Sequence, residues 1–371
     1  MYILELLLFL IHQGAQCLSR KTLAKIDLSA LVDNFITISE LAPDSKTLAV
    51  IKADAYGHGS MQVANALNQH TDLFAVAFVD EAKVLRGQGI TKPLVSFQGA
   101  YDKAECEWAG QNDVWLVVHS EQQLQWIKSL STERPIIWPK VDTGMHRLGF
   151  NPEHFSGYLE KYSELLTEES VIFTHLACAD EPNYSKTIEQ LERLNNCMGD
   201  SGFNYSIANS AGIIHWHKSR QKWNRIGIGM YGGATGPEDN RLSLNPVMTL
   251  SAEIIALREI EPKESVGYGA TWQAKQTSIL ATVAIGYADG YPRHAPNGTP
   301  AWCNGKRISL VGRVSMDMLI FDVTHLSDVS IGDCVELWGP NISVTEVAEC
   351  VGTIDYELMT RVSSRVPRVY D

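Results

Sequence analysis

A lysine closes an apolar run in Ala49-Val50-Ile51-Lys52 and is followed by Ala53-Asp54-Ala55-Tyr56-Gly57-His58-Gly59. An ammonium group placed directly after a buried strand is costly unless it is paired or sheds its proton. The neutral amine is the form that attacks a carbonyl to make a Schiff base. A structural lysine paired with Asp54 is the alternative. Tyr56 brings a hydroxyl next to the lysine, and Gly57 and Gly59 flank His58 at the start of a helical stretch, where free N–H groups suit an anion. Ser210 also opens a helical stretch, either as a simple N-cap or as part of an anion site. Lys140 and Arg225 close two further apolar runs. Their plainer readings are a pair with Asp142 and a salt bridge at a barrel rim.

These residues need rigid elements to hold them. From Thr47 to about Tyr231 eight near-continuous apolar runs alternate with amphipathic stretches, as strands covered on both faces should. The strands are predicted at Leu48–Ile51, Phe74–Val79, Leu94–Phe97, Val114–Val118, Ile136–Val141, Val171–His175, Tyr205–Ala208 and Asn224–Ile228. Helices are predicted at Ser29–Leu41, His58–Asn68, Asp80–Arg86, Tyr101–Ala109, Glu121–Leu130, Pro152–Leu166, Ser185–Met198 and Ser210–Ser219. Eight such units close into a (β/α)8 barrel, whose active sites sit at the C-terminal strand ends. An open doubly wound sheet fits less well, because no Gly-x-Gly-x-x-Gly turn follows the first strand. Past Asn245 the texture becomes short strands separated by Gly, Asp and Pro turns, with one helix at Val344–Val351 behind a Ser343/Glu346 capping box. The expected organisation is an α/β barrel over 21–243 and a mainly β domain over 244–371, joined through the turn-forming stretch 236–240.

Composition narrows the function class. The chain has 371 residues, long enough for a substantial core without staples, and carries 43 acidic against 31 basic residues for a formal charge of −12. That balance, with no Lys/Arg block, would repel a phosphate backbone and argues against nucleic-acid binding. The seven cysteines form no C-x-x-C pair, which reads as free thiols in a reducing, cytoplasmic setting with no structural metal. Residues 1–20 contain the apolar run Ile3–Ile11, too short to span a bilayer. With no positive n-region and a poor cleavage site, they read as a disordered extension or an upstream start, an export signal being the alternative.

Val50 to Gly59 resembles the signature Val-x-Lys-Ala-Asp-Ala-Tyr-Gly-His-Gly of the bacterial alanine racemases. The resemblance continues through Pro139–Gly149, Thr174–Ala177, Ala208–Ala211, Arg225–Gly232 and Val266–Thr271. It extends to Ile285–Tyr291, Gly312–Asp317 and Thr353–Glu357, in family order across both domains. It implies a barrel followed by a β domain, assembled as a homodimer that uses pyridoxal 5'-phosphate to interconvert L-alanine and D-alanine. D-Alanine would supply peptidoglycan, or the reaction would serve alanine catabolism.

Residue roles follow from the resemblance. Lys52 would carry the cofactor as a Schiff base and act as base on one face of the substrate, with Tyr268 of the partner subunit on the other. A free phenol ionises near pH 10, so a neutral-pH phenolate costs roughly 4 kcal/mol unless cations nearby lower it; His175 and Arg225 are the implied source. Arg225 would meet the cofactor ring nitrogen, where a guanidinium cannot give up its proton. Tyr56, Ser210, the amides of Gly227 and Ile228, and Tyr356 would hold the phosphate. Arg147 would bind the phenolic oxygen and the substrate carboxylate, and a carbamylated Lys140 would anchor Arg147. Met316 and Tyr287 would narrow the substrate pocket, and Asp180, Arg313 and Ile354 would line the corridor into it. Tyr268 alone would read as an ordinary sheet tyrosine.

The competing reading on the same scaffold is a broad-specificity amino-acid racemase, against which the free thiols and the bulk of Met316 argue. A barrel-type pyridoxal decarboxylase lacks the Tyr268 motif. A barrel-only cofactor carrier has no use for a second domain bearing Tyr268 and Tyr287.

Overall fold

The computed structural model describes residues 20–181, 185–198, 201–237 and 242–371, so the expected leader, apart from Arg20, lies outside the described residues, as does most of the expected linker 236–240. The chain forms two compact units that interleave in sequence. One comprises Ile26–Val247 with Asp355–Thr360 and Tyr370–Asp371, and the other Met248–Ile354 and Arg361–Val369 with Arg20–Lys25, each within the described residues.

The first unit is an eight-stranded parallel sheet. Its strands Lys46–Val50, Leu73–Val76, Leu94–Ser96, Val114–Val118, Ile137–Pro139, Val171–Phe173, Asn204–Ser206 and Trp223–Ile226 follow one another in space, with the first beside the last. Pairing Leu48 with Arg225 and Ala49 with Ile226 sets the ends of the first and eighth strands side by side. A parallel bridge between Lys140 and Phe173 joins the fifth and sixth and closes the barrel. The interior is filled by aromatic side chains: Trp138 lies 5.4 Å from Trp223, 5.9 Å from Trp115 and 6.4 Å from Phe173, ring centre to ring centre. By area each such ring contributes up to about 4–6 kcal/mol. This plug leaves room for chemistry only above it, at the C-terminal strand ends.

The second unit is antiparallel. Met248–Ile260, Ser278–Val283, Leu319–Asp322, Lys306–Leu310, Pro300–Cys303 and Cys334–Trp338 close on themselves through the pairing of the first two, and Leu23–Ile26 and Arg368–Tyr370 extend the sheet. Elements that go beyond the sequence expectation include the strands Leu23–Ile26, Pro300–Cys303 and Arg368–Tyr370, the short pair Ser265–Val266 and Trp272–Gln273, and the helix Asp355–Arg361. The expectation of a single helix after Asn245 is therefore corrected. Asp355–Arg361 is too short to show a periodic face, and it is fixed by the buried Asp355 carboxylate, which accepts the Ala234 N–H at 2.6 Å. Among the described residues no helix is long and apolar enough to cross a membrane.

Candidate active site

Lys52 follows the first barrel strand at half-buried depth. Burial holds its amine below the usual lysine range, helped by the charges of Arg147 and Arg225 and opposed by Glu81. The next four residues, Ala53, Asp54, Ala55 and Tyr56, all have φ between 51° and 53°. A left-handed turn built without glycine costs roughly 1–2 kcal/mol per residue, and strain of this kind persists only where the surroundings impose it. Here Ala55 N–H donates to Ile51 O at 2.9 Å, Ala53 N–H to Glu81 Oε1 at 2.7 Å and Ser60 N–H to Asp54 Oδ1 at 2.7 Å. Asp54 thus serves the start of the helix Ser60–Leu67 rather than pairing with Lys52.

The two glycines of this segment have a different task from the expected anion site. A Cβ on Gly57 would lie 2.3 Å from Met359 O, and one on Gly59 would lie 2.1 Å from the Tyr370 hydroxyl. Both have positive φ, and the Gly59 N–H already donates to Asp54 O. Their role is close packing of the chain's C-terminal segment.

The left-handed turn carries Tyr56 inward, with its ring 4.8 Å from Tyr231 and 5.5 Å from Tyr356. Burial raises the proton affinity of both Tyr56 and Tyr356, so each hydroxyl remains a hydrogen-bond donor at neutral pH. Beside them Ser210 Oγ accepts the Gly227 N–H at 2.9 Å and the Gly229 N–H at 3.3 Å. The serine thus gathers these amides, where the sequence reading aimed the Gly227 amide at a ligand, while Ile228 begins the short turn Ile228–Tyr231. The Asn209 side chain, not Ser210, caps the helix Ser210–His215 by accepting the Gly212 N–H. A Cβ on Gly227 would stand 3.0 Å from the Tyr56 hydroxyl, so only glycine leaves that space open.

Arg225 is fully buried. It donates to Ser206 Oγ at 2.9 Å, Thr174 O at 3.0 Å and Ile207 O at 2.8 Å, and its guanidinium lies 4.3 Å above the Phe173 ring. Neutral acceptors and a π-face replace the rim salt bridge. Burial pushes the group down to about 9, still cationic at neutral pH. Its Nη2 also faces His175 Nδ1 at 3.2 Å. A guanidinium only donates, so Nδ1 accepts and the imidazole proton sits on Nε2. Burial, then Arg225, Lys140, Arg147 and Lys52, hold His175 well below its usual range. The implied role of His175 as a source of positive charge is therefore corrected: it is a neutral ring.

Lys140, at the barrel closure, is pushed down to about 8 by burial and then by Arg147 and Arg225. Its expected partner Asp142 instead accepts the Gly144 and His146 N–H groups, each at 3.0 Å, and faces His146 Nδ1 at 3.1 Å. Arg147 and Asp180 are exposed, and the Asp180 charge acts on Tyr356.

The remaining residues belong to the β unit and form a separate group. Tyr268 lies in a single turn, Tyr268–Ala270, between the paired strands Ser265–Val266 and Trp272–Gln273, not within a sheet. It is 68% exposed. A Cβ on Gly269 would stand 3.6 Å from an Arg313 guanidinium nitrogen, so that side chain lies along the same turn. Tyr287 N–H donates to Ser315 O and Ala288 N–H to Met316 O, which binds the Tyr287 and Met316 loops together. Met316 and Ile354 are exposed as well. The sequence reading missed the support beneath these loops: buried Asp289 accepts the Gly286 N–H and both Nη groups of Arg20 at 2.9 Å. It also missed Glu81. Phe78 at the cap position has no side-chain acceptor, so no capping box in the sequence points to Glu81.

Residues 26–235 match the family model "Alanine racemase, N-terminal domain" and 247–370 match "Alanine racemase, C-terminal domain". The chain is 49% identical over 354 residues to an alanine racemase of Alteromonas mediterranea, covering 95% of this chain and 99% of that one. It is similar in structure to the biosynthetic alanine racemase of Pseudomonas aeruginosa (TM-score 0.91, 40% identity, 95% and 99% coverage). It also resembles the alanine racemase of Bartonella henselae with covalently bound pyridoxal phosphate (TM-score 0.85, 30% identity, 94% and 99% coverage). Barrel, β unit and full-length identity together make this chain a member of the alanine racemase family, whose members are isomerases.

Proposed function

We propose that this protein interconverts L-alanine and D-alanine with pyridoxal 5'-phosphate held at the barrel mouth, in a homodimer whose subunits complete each other's sites. The observation that carries this reading is that Lys52 and Arg225 come from neighbouring strands, near enough for the Arg225 charge to act on the Lys52 amine, beside the Tyr56–Ser210–Gly227 cradle. The chemistry of that set fits the cofactor. An amine with a depressed pKa suits its aldehyde. Two protonated phenols and a glycine-lined recess beside the short turn Ile228–Tyr231 suit its phosphate, and a buried guanidinium suits its ring nitrogen.

When bound, the cofactor supplies an electron sink that acidifies the substrate α C–H. The protein does the rest. Neutral Lys52 takes and returns the α-proton on one face, and Tyr268 of the partner subunit does so on the other. Arg225 would meet the ring nitrogen while keeping its own proton, so the cofactor would supply a weaker sink there than beside a carboxylate partner. Neutral His175, accepting from Arg225, fixes the guanidinium in place. Tyr56, Tyr356 and the Ser210 hydroxyl would hold the phosphate over the Gly227–Ile228 backbone, and Arg147 would orient the substrate carboxylate. Met316 and Tyr287 exclude larger side chains, with Arg313, Ile354 and Asp180 along the corridor.

The test is a racemisation assay on purified protein supplied with pyridoxal phosphate, run against a panel of L-amino acids. Alanine should turn over at least about tenfold better than serine or larger substrates. A flat profile across the panel would move the protein to the broad-specificity class, and no turnover of alanine would reject the reading.

A further inference from the structure

None of the four left-handed positions after Lys52 is a glycine, so their conformation is imposed by contacts from elsewhere in the barrel. One of these contacts is a carboxylate. Glu81 Oε1 accepts the Ala53 N–H at 2.7 Å, while Oε2 accepts the Ala77 N–H at 2.7 Å and lies 3.4 Å from the Phe78 N–H. Ala77 and Phe78 follow the strand Leu73–Val76, which pairs with the strand leading to Lys52 through Val50 and Ala75. A glutamate at the third position of a helix commonly reaches back to its own helix start. Oε2 does this for Val79–Gly87, which leaves Oε1 to cross to the neighbouring loop.

We infer that Glu81 is a positioning residue for the reaction: by tying the amide after Lys52 to the amides after the adjacent strand, it fixes the backbone from which the lysine amine is aimed. This rests on the reading of Lys52 as the reactive amine. The carboxylate also acts through its charge. Arg147 and Arg225 lower the proton affinity of Lys52 and Glu81 raises it, while Lys140 and His175 feel the lysine in turn. Removing Glu81 leaves the amine facing cations and a neutral ring. A helix cap without a role at the lysine would stabilise the fold and leave both aim and protonation alone.

The experiment compares wild-type protein with Glu81→Gln, which keeps the size but sets an NH2 against one of the two amides. Apo-protein is mixed with pyridoxal phosphate from pH 6 to 10, and covalent attachment is followed by absorbance, with Lys52→Ala alongside. For Glu81→Gln the midpoint of attachment should fall by on the order of half a pH unit. In the loaded enzyme kcat should drop about tenfold with KM for alanine within about twofold. Attachment profiles and kcat that superimpose on wild type, with a native circular dichroism spectrum, would overturn the role of Glu81 while leaving the reading of Lys52 intact. Attachment that survives Lys52→Ala would instead overturn that reading. If Glu81→Gln does not fold, Glu81→Ala titrated with formate serves: recovery of the midpoint with formate supports the inference, and indifference to it sinks the inference.

Discussion

Lys140 shows how burial prepares a side chain for chemistry. An amine pushed down to about 8 is roughly one-tenth neutral at pH 7, against less than about a thousandth for an exposed lysine near 10.4. Neutral amines add carbon dioxide, and the carbamate formed is an anion. That product would exchange a cation repelled by Arg147 and Arg225 for a group attracted by both. The sign of the pH dependence follows: acid protonates Lys140 and drives the carbamate off, and base favours it. With 13C-labelled bicarbonate, a carbamate resonance should appear at pH 8, fade by pH 6 and be absent from Lys140→Ala. A spectrum at pH 8 with no resonance that depends on Lys140 would refute the carbamate. At this scale the sequence reveals which residues are present better than what charge they carry. Lys52 is legible because an apolar run ends at it. The neutrality of His175 is not, because it comes first from burial and then from cations on other segments of the barrel.

Among the elements, the turn Ala53–Tyr56 departs furthest from what its residues prefer. Alanine is the best right-handed helix former, so the segment gives no hint of left-handed geometry. That geometry is enforced by Glu81 and by the helix start at Ser60. The usual ranking of substitutions should therefore invert at exposed Ala53. In an ordinary helix Gly costs about 1 kcal/mol relative to Ala, and Val costs less. At φ 52° Gly sheds about 1 kcal/mol of strain, which offsets the entropy it adds to the unfolded chain. A β-branched side chain is a steric outlier in the same conformation. Denaturant unfolding should place Ala53→Gly within about 0.5 kcal/mol of wild type and Ala53→Val roughly 2 kcal/mol below it. Gly less stable than Val would mean that the turn is right-handed in solution. Elements whose own residues specify them are legible in the sequence: Val114–Val118 and Val344–Val351 have the expected bounds. Ser343 Oγ caps the latter by accepting the Glu346 N–H at 3.1 Å. The illegible ones include Leu23–Ile26, Pro300–Cys303 and Asp355–Arg361. These run only four to seven residues; Leu23–Ile26 and Asp355–Arg361 meet partners far along the chain, and Pro300–Cys303, which opens on a proline, pairs with the neighbouring Lys306–Leu310.

For the whole molecule the question is how many chains make one site. The barrel holds Lys52, Arg225 and the Tyr56–Ser210–Gly227 cradle, while Tyr268, Met316 and Ile354 are exposed on the β unit at 68%, 53% and 61%. The proposed homodimer would give these exposed side chains a purpose at the partner's site. A two-fold dimer presents the same surface to the same place on its mate twice. In a dimer with shared sites, Lys52→Ala and Tyr268→Phe inactivate opposite contributions. A hybrid of the two variants gathers both defects in one site and leaves the other wild type. Random exchange makes half the dimers hybrids with one intact site of two, so an equimolar mixture of two inactive proteins should recover about a quarter of wild-type activity. Recovery should rise with the rate of subunit exchange and vanish if each variant is cross-linked as a dimer beforehand. If each site were built within one chain, no hybrid could contain an intact pair. A mixture that exchanges subunits by mass spectrometry yet stays inactive would assign Lys52 and Tyr268 to the same polypeptide.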